Sequence, residues 1–413
     1  METRRLTEII FVFVIILGAL EFFDVRALGE SILKMVQLGS LGVMILFILI
    51  DYIYNREERI QALFSKEIGF MLLAVLLSMF IANTEQGQSY KITFIAQRYM
   101  YFYIFYFFLH GLRIRPDDLV KIIVGFGILI SLLYLVQYIL YPTVLFDVRI
   151  SEERGTLRIF FPGQSFIFMT FFFSVLKFFE KYKYPWLILT GLTFVIIILL
   201  GSRLILLTSV LIAGYFLLTS DKVRSKIILI PIGIIGLLAF LFIFRGIFTQ
   251  LIDITKGQQV NFADDVRVRA ATFFLTDFFP NTLSYFLGNG AESLNSPYGM
   301  KVYQIREDLN FYQGDVGIIG DYTQFGIIFV LTAASIYIKT LSAKYPYEYK
   351  FLYYYMLFIS LLMLMSGDFG NVSAYIPVLI IMYIIDVSKH DSKYIEVKQS
   401  REDPDSSEIS GYG

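Results

Sequence analysis

The chain has 413 residues, of which 57% are hydrophobic and only 17% are charged, and it contains 42 Phe and 29 Tyr. This composition excludes an ordinary soluble domain and predicts a polytopic membrane protein. The formal net charge is zero, so no overall attraction to nucleic acid follows, and no nucleic-acid partner is expected. The chain has no cysteine and only two histidines, His110 and His390, so disulfides and cysteine nucleophiles are excluded, and neither a metal nor a cofactor is expected.

Apolar runs long enough to cross roughly 30 Å of hydrocarbon recur along the whole chain. The runs are continuous rather than alternating, which favours helices over a barrel. The pattern predicts an all-α membrane protein with about twelve transmembrane helices, in one membrane domain over residues 1–388. The predicted spans are approximately 6–23, 32–54, 66–83, 92–110, 118–140, 159–179, 184–200, 204–219, 226–244, 316–338, 350–366 and 372–387.

Lysine and arginine in the short connections predict the orientation of these helices. The connections expected on the inner side each hold two or three basic residues, whereas the short outer connections hold one or none. Both termini are therefore predicted to be cytoplasmic, and the polar segment 389–413 is predicted to be a disordered cytoplasmic tail. Two external connections break the charge pattern because they hold several arginines: residues 141–158, and the long connection 245–314 between the ninth and tenth helices.

Arg203 is the only charged residue between Trp186 and Thr219. A charge at the centre of a bilayer costs about 2.5–3.5 kcal/mol on insertion scales, so a buried arginine needs an explanation. The predicted topology places Arg203 at the tip of a helical hairpin on the outer face. At that position an arginine either extends to lipid headgroups or binds an anion, since its planar guanidinium pairs with two phosphate oxygens.

Several short motifs follow one another along the outer face. The turn GSR at 201–203 lies between the seventh and eighth predicted helices, and Arg267 lies early in the long external connection. LGNG follows at 287–290, DVGIIGDYTQFG begins the tenth helix at 315–326, and RGTLRIFFPGQ precedes the sixth helix at 154–164. By these motifs and their order, the chain resembles the bacterial O-antigen ligases and polysaccharide polymerases, the WaaL/Wzy group. That group has about twelve helices and a long external loop between the ninth and tenth.

The resemblance implies transfer of a glycan from an undecaprenyl-diphosphate carrier to a sugar hydroxyl on the outer face of the inner (cytoplasmic) membrane. The implied partners are the lipid-linked oligosaccharide and membrane lipid, with a flippase and a chain-length regulator as further candidates. Ligases of the group carry a histidine where this chain has Asp315, whereas polymerases vary there. Polymerase activity is therefore favoured, and O-antigen ligation is the alternative.

In such a transfer, negative charge builds on the departing diphosphate while the anomeric carbon becomes oxocarbenium-like. Arg203 and Arg267 are the predicted catalytic arginines that bind the diphosphate, without a metal. Arg158, Arg269 and Arg98 are predicted to bind substrate. The alternative for Arg158, Arg267 and Arg269 is a solvated surface attracted to anionic headgroups, and Arg98 can instead pair with a carboxylate or extend to the headgroups.

The acceptor hydroxyl needs a general base within hydrogen-bond reach, which means a carboxylate or a histidine. Both histidines lie on the predicted inner side. Asp315, at the outer start of the tenth helix, is therefore the predicted base, and Asp321 is the second candidate. The alternatives are that Asp315 is the N-cap of the helix and that Asp321 pairs with an arginine of the bundle.

Two other classes of function stay open, a transporter or flippase for lipid-linked oligosaccharides and a non-catalytic membrane scaffold. Transporters commonly show internal repeats and place ionisable residues near the bilayer midplane. In this chain the charges concentrate at one mouth of the predicted bundle, and no repeat of fixed period is visible. This distribution favours an enzyme.

Overall fold

The structure is a computed structural model that describes residues 2–54, 62–153, 156–219, 265–363 and 371–402. These residues are mostly helical, in agreement with the predicted all-α class. The helices are α1 (Glu2–Ala19), α2 (Glu30–Tyr54), α3 (Ser65–Thr84), α4 (Tyr90–Ala96), α5 (Phe105–Leu112), α6 (Pro116–Leu140), α7 (Gln164–Lys181), α8 (Tyr184–Leu199), α9 (Arg203–Thr219), α10 (Val266–Thr276), α11 (Thr282–Leu287), α12 (Pro297–Leu309), α13 (Ile318–Leu341), α14 (Lys350–Leu362) and α15 (Val372–Glu402).

Four helices of the described ranges, α2, α3, α6 and α13, are long and apolar enough to cross a membrane, and α8 and α9 are shorter apolar helices. These helices indicate a membrane protein, as the composition predicts. The total of twelve spans stays a prediction, and the predicted ninth span, 226–244, lies outside the described residues. The last helix continues to Glu402, beyond the predicted end of the twelfth span at 387. Residues 389–402 contain no glycine or proline to end it.

The fourth predicted span, 92–110, is not one continuous helix. α4 ends at Ala96, a 3-10 helix covers Arg98–Ile104, and α5 begins at Phe105. Four of the seven residues of this 3-10 helix are aromatic, and aromatic side chains lose rotamer freedom in an α-helix. The apolar pattern alone therefore predicted the position of this segment but not its break.

A short β-hairpin departs from the all-α expectation. Strands β1 (Ile150–Glu153) and β2 (Thr156–Ile159) pair antiparallel, with Ile150 opposite Ile159. The segment before the hairpin is tied to the α1–α2 connection, because the backbone N–H of Arg26 donates to the Leu145 carbonyl at 3.0 Å. Two connections on the same end of the bundle are thus held together.

The helices pack closely where small residues meet. α6 packs along α7, and α1 packs along α2. A Cβ atom added to Gly127 of α6 would lie 1.9 Å from Thr170 Oγ1 of α7, and one added to Gly18 of α1 would lie 2.0 Å from Ser40 Oγ of α2. Small residues at such crossings allow close backbone approach, as is typical of membrane helices.

Two ion pairs join helix ends at the bundle end that is predicted to face inward. One joins the start of α1 to the start of α6, and the other joins the start of α3 to the end of α13. Arg5 Nη2 lies 2.5 Å from an oxygen of Asp118, and Lys339 Nζ lies 2.5 Å from Glu67 Oε1. His110 is also on this side, with Nε2 lying 3.0 Å from Asp386 Oδ2.

The LGNG motif, residues 287–290, docks the segment between α11 and α12 onto α13. The helix is interrupted at Gly326, whose φ and ψ are 77° and −176°. There the carbonyls of Thr323 and Gln324 accept hydrogen bonds from the backbone N–H groups of Asn289 and Gly290, at 2.9 and 2.8 Å. The interruption fixes the first turns of α13 against the segment that contains LGNG.

Candidate functional site

A cavity of about 630 Å³ opens at one end of the helix bundle. Its wall is formed by the α1–α2 connection, the first turns of α2 and α9, the 3-10 helix after α4, the segment before α7, residues 313–324, the end of α14 and the start of α15. All of these are the helix ends that the charge pattern assigns to one side of the membrane. The cavity therefore gathers the ends of helices that are distant in sequence.

Three carboxylates line this cavity, those of Glu21, Asp24 and Asp321. Asp321 lies in the first turn of α13 and is 8% exposed. Glu21 accepts a hydrogen bond from the guanidinium of Arg98, which belongs to the 3-10 helix after α4. Arg98, a predicted substrate-binding residue, is thus held next to the cavity by an ion pair, one of the alternatives that the sequence left open.

Glu21 and Asp24 lie on an unusual left-handed turn. The φ angles of the four successive residues 21–24 are 49°, 49°, 61° and 53°, and none of these residues is glycine. Left-handed helical backbone costs about 1–2 kcal/mol per non-glycine residue. The turn is anchored by Phe23, which is 5% exposed and packs against the rings of Phe126 and Phe161. Backbone of this kind concentrates at functional sites, so the turn itself points to the cavity.

The surroundings of Asp24 change its acid–base behaviour. Burial raises the pKa of Asp24 to about 7, with the neighbouring carboxylates of Glu21 and Asp147 acting in the same direction and Arg98 acting against them. A carboxyl group with a pKa near neutrality can both accept and release a proton at physiological pH. The sequence does not signal this residue, because its burial and its neighbours Asp147 and Arg98 depend on segments that are distant along the chain.

Arginines lie at the rim of the cavity. Arg158 Nε donates a 3.1 Å hydrogen bond to the Leu200 carbonyl, and Arg203 begins α9 just three residues later. The guanidinium carbons of Arg158 and Arg149 lie 4.9 and 5.3 Å from the centroid of the Phe160 ring, which lines the cavity. The structure thus brings the predicted residue Arg158 to the turn that carries Arg203. Arg149 is an addition that the sequence did not single out.

The two arginines of the long connection lie elsewhere on the surface. Arg267 and Arg269 are in the first turn of α10, both exposed, and neither lines the cavity. The guanidinium of Arg269 lies over the ring of Phe311, 5.7 Å from its centroid. Much of the connection between α9 and α10, residues 220–264, is outside the described ranges.

Asp315 also lies outside the cavity wall. It is exposed in the 3-10 helix Gln313–Val316, and its neighbour Gly314 lines the cavity. Asp315 does not cap α13, because the N-cap position is Gly317 and no side chain makes a capping hydrogen bond. Of the two aspartates predicted as bases, the structure places only Asp321 in the cavity.

Among the described residues, no group of three or more His, Asp or Glu side chains is arranged to hold a metal ion. No family model and no curated protein matches the sequence. The likeness to the WaaL/Wzy group therefore rests on the motifs and on their order along the chain.

Proposed function

We propose that the chain is a membrane glycosyltransferase that moves a glycan from an undecaprenyl-diphosphate carrier to a sugar hydroxyl, and specifically a polysaccharide polymerase. The observation that carries the proposal is the cavity, which combines carboxylates inside with arginines at its rim. Such a transfer requires a base for the hydroxyl and positive charge for the diphosphate. Both are present at the bundle end that carries the GSR turn and the segment before α7.

The reaction breaks the bond between the anomeric carbon and the diphosphate oxygen, and it forms a bond between that carbon and the acceptor oxygen. The lipid diphosphate leaves, and the acceptor proton passes to a carboxylate. We assign the proton to Asp24, whose pKa of about 7 suits a base at neutral pH. Asp321 is placed to bind the acceptor, and Asp315 is the alternative base that the family resemblance favours.

The departing diphosphate is bound at the rim. Arg158 donates to the Leu200 carbonyl, three residues before Arg203 begins α9, and guanidinium groups there stabilise the charge that builds on the leaving group. Arg267 stays in the proposal as the second clamp residue implied by the resemblance, with Arg269 as its neighbour. Both are exposed on α10, where they can reach a carrier at the membrane surface.

The proposed location is the inner membrane, with the cavity on its outer face and both termini inside. Because the chain has no native cysteine, single cysteines test this directly. Gln304→Cys, exposed on α12, should react with a membrane-impermeant maleimide in intact spheroplasts. Lys183→Cys, exposed between α7 and α8, should react only after lysis. The reverse pattern would place the cavity on the cytoplasmic side and reject the proposed donor.

Deletion of the gene tests the activity in the cell. A polymerase deletion should leave surface chains of a single repeat unit, and the wild-type gene should restore long chains. Accumulated lipid-linked polymer would instead identify a ligase, and trapping of single lipid-linked units inside the cell would identify a flippase. An unchanged surface polysaccharide would reject the proposal.

A further inference from the structure

A second pocket, of about 740 Å³, lies at the opposite end of the bundle from the cavity. Asp321, in the first turn of α13, lines the cavity, whereas Lys339, in the last turn, lines this pocket. α15 likewise contributes its first residues to the cavity and residues 385–389 to the pocket. At 1.5 Å per residue, roughly 25 Å of helix separates Asp321 from Lys339. The two are therefore separate sites, and the function proposed for the cavity does not account for this pocket.

Three lysines line this pocket, Lys339, Lys344 and Lys389, and it is named the lysine pocket here. No aspartate or glutamate is among the described residues of its wall. Lys339 Nζ lies 2.5 Å from Glu67 Oε1, and this ion pair balances its charge. Lys344 and Lys389 are exposed, and neither forms an ion pair with any described residue. The lysine pocket therefore holds two uncompensated positive charges, which favour an anion as its ligand.

The predicted spans place the lysine pocket at the level of the lipid phosphates. Lys339 directly follows the predicted span 316–338, and Lys389 is two residues beyond the predicted span 372–387. α13 is among the described helices that are long and apolar enough to cross a membrane. The headgroup layer begins where the hydrocarbon core ends, so lysines just past the ends of spans meet the lipid phosphates.

Part of the wall of the lysine pocket is apolar and accessible. Leu63, Ala343 and Tyr345 are half-buried and Pro346 is exposed, and all four line the pocket. A free inorganic phosphate would leave this apolar surface in water, whereas the glycerol and first acyl carbons of a lipid would cover it. Uncompensated lysines next to an apolar wall therefore favour an amphiphilic anion over a soluble one.

We propose that the lysine pocket binds an anionic phospholipid, whose charged headgroup is held by Lys344 and Lys389. Lysine is a compact cation with three rotatable donors, which suits the phosphate of a mobile lipid. The glycerol end of the lipid covers the apolar wall around Leu63 and Pro346. Basic pockets between membrane helices on the cytoplasmic side, where the sequence predicts this end of the bundle, bind anionic headgroups in this way. The lipid site does not depend on the proposed transferase function.

The double variant Lys344→Gln/Lys389→Gln tests the site, because glutamine removes both charges and keeps polar side chains. Both lysines are exposed, so the fold should tolerate the change. Lys339 is left in place, since its removal would leave Glu67 without its cation. The variant Lys344→Arg/Lys389→Arg keeps the charges and should keep the binding.

The matched control is the double variant Lys181→Gln/Lys183→Gln. Both residues are exposed at the end of α7 and just after it, on the same predicted side of the membrane, and neither lines the lysine pocket. This variant changes the net charge by the same amount as the pocket variant. General attraction to a charged membrane surface should therefore fall equally in the two proteins, and only loss of the site distinguishes them.

Lipid binding is measured by native mass spectrometry of the full chain in detergent, titrated with phosphatidylglycerol or phosphatidylcholine. The wild type should bind its first phosphatidylglycerol more tightly than phosphatidylcholine. The pocket variant should bind phosphatidylglycerol roughly 25-fold more weakly than the wild type, about fivefold for each lysine. The control variant and the arginine variant should bind as the wild type does.

A single cysteine reports whether the lipid occupies the pocket itself. Ser342 is exposed and lines the lysine pocket, and the chain has no native cysteine. The neutral reagent N-ethylmaleimide should label Ser342→Cys several-fold more slowly in phosphatidylglycerol nanodiscs than in phosphatidylcholine nanodiscs. Lys183→Cys, outside the pocket, should show a much smaller difference, which measures the general effect of surface charge on the thiol. Addition of Lys344→Gln/Lys389→Gln should remove the extra slowing at residue 342.

Three results would overturn the lipid site. They are equal binding of the two lipids by the wild type, equally weakened binding in the pocket and control variants, and equal labelling of Ser342→Cys in the two kinds of nanodisc. Displacement of phosphatidylglycerol by millimolar inorganic phosphate or glycerol 3-phosphate would assign the pocket to a soluble anion and would also overturn it. Lysine-dependent binding of phosphatidylglycerol in a protein that transfers no glycan would keep the lipid site and reject only the transferase.

Discussion

Replacement of Asp24 by asparagine removes its ionisable group while keeping its shape. The folded protein raises the pKa of Asp24 from 3.8 to about 7, which means that the folded state binds this proton more tightly than the unfolded chain does. The stabilisation that protonation provides is fully present below pH 3.8 and is lost as the pH rises through about 7. The wild type should therefore lose stability between pH 5 and pH 8 relative to Asp24→Asn.

The size of this effect follows from the shift. A change of about three pKa units corresponds to at most about 4 kcal/mol. Because Asp24 is only half-buried, solvent screening reduces the expected difference to about 1–2 kcal/mol. The measurement is the thermal unfolding of both proteins in detergent at pH 5 and pH 8, where Asp24→Asn should gain a few degrees over the wild type only at the higher pH.

Two control substitutions make the experiment specific. Asp308→Asn, exposed on α12, should show no pH-dependent difference from the wild type. Asp147→Asn removes one of the charges that raise the pKa of Asp24, so the pH midpoint should move down. A difference between Asp24→Asn and the wild type that is the same at both pH values would refute the raised pKa, and with it the assignment of Asp24 as a base.

The other predictions concern transfer and folding. Arg203→Lys should slow transfer nearly as much as Arg203→Ala, roughly 10²–10³-fold, since lysine keeps the charge without the two-pronged geometry. Excess EDTA should leave the wild-type rate unchanged. A fully active Arg203→Ala, or EDTA inhibition that Mg²⁺ reverses, would reject the arginine clamp. Asp321→Asn should slow transfer more than Asp315→Asn at matched membrane levels, because only Asp321 lines the cavity, and the opposite order would restore Asp315 as the base. Gly326→Ala should lower the unfolding temperature and the yield, since the φ of Gly326 is 77° and an added Cβ would lie 2.2 Å from the Phe286 carbonyl oxygen. The control Gly191→Ala, which has open space around the added Cβ, should lower neither. Equal stability of the two variants would contradict the docking described for α13.

The sequence predicted what depends on local pattern. Apolar runs located the helices, so α6 begins at Pro116 and ends at Leu140, within two residues of the predicted span. The order of motifs also predicted that Arg158 and Arg203 lie at the same end of the bundle. A hydrogen bond from Arg158 to the carbonyl of Leu200, in the turn between α8 and α9, places them there.

What the sequence did not predict depends on contacts between distant segments. Residues 21–24 form a left-handed turn although they include no glycine or asparagine that would signal one. The turn is held instead by the packing of Phe23. Asp24 was missed for the same reason, since the burial that raises its pKa and the nearby charges of Asp147 and Arg98 come from distant segments.

Reconstituted transfer tests the central claim most directly. Membranes from the deletion strain supply the native lipid-linked donor, so the sugar need not be known beforehand. Purified protein in proteoliposomes with this lipid extract should form longer lipid-linked glycans and release one undecaprenyl diphosphate for each new glycosidic bond, and Asp24→Asn should slow both by roughly 10²–10⁴-fold. Lipid-linked glycan that crosses the bilayer without any change in chain length, or that stays unaltered, would contradict the account.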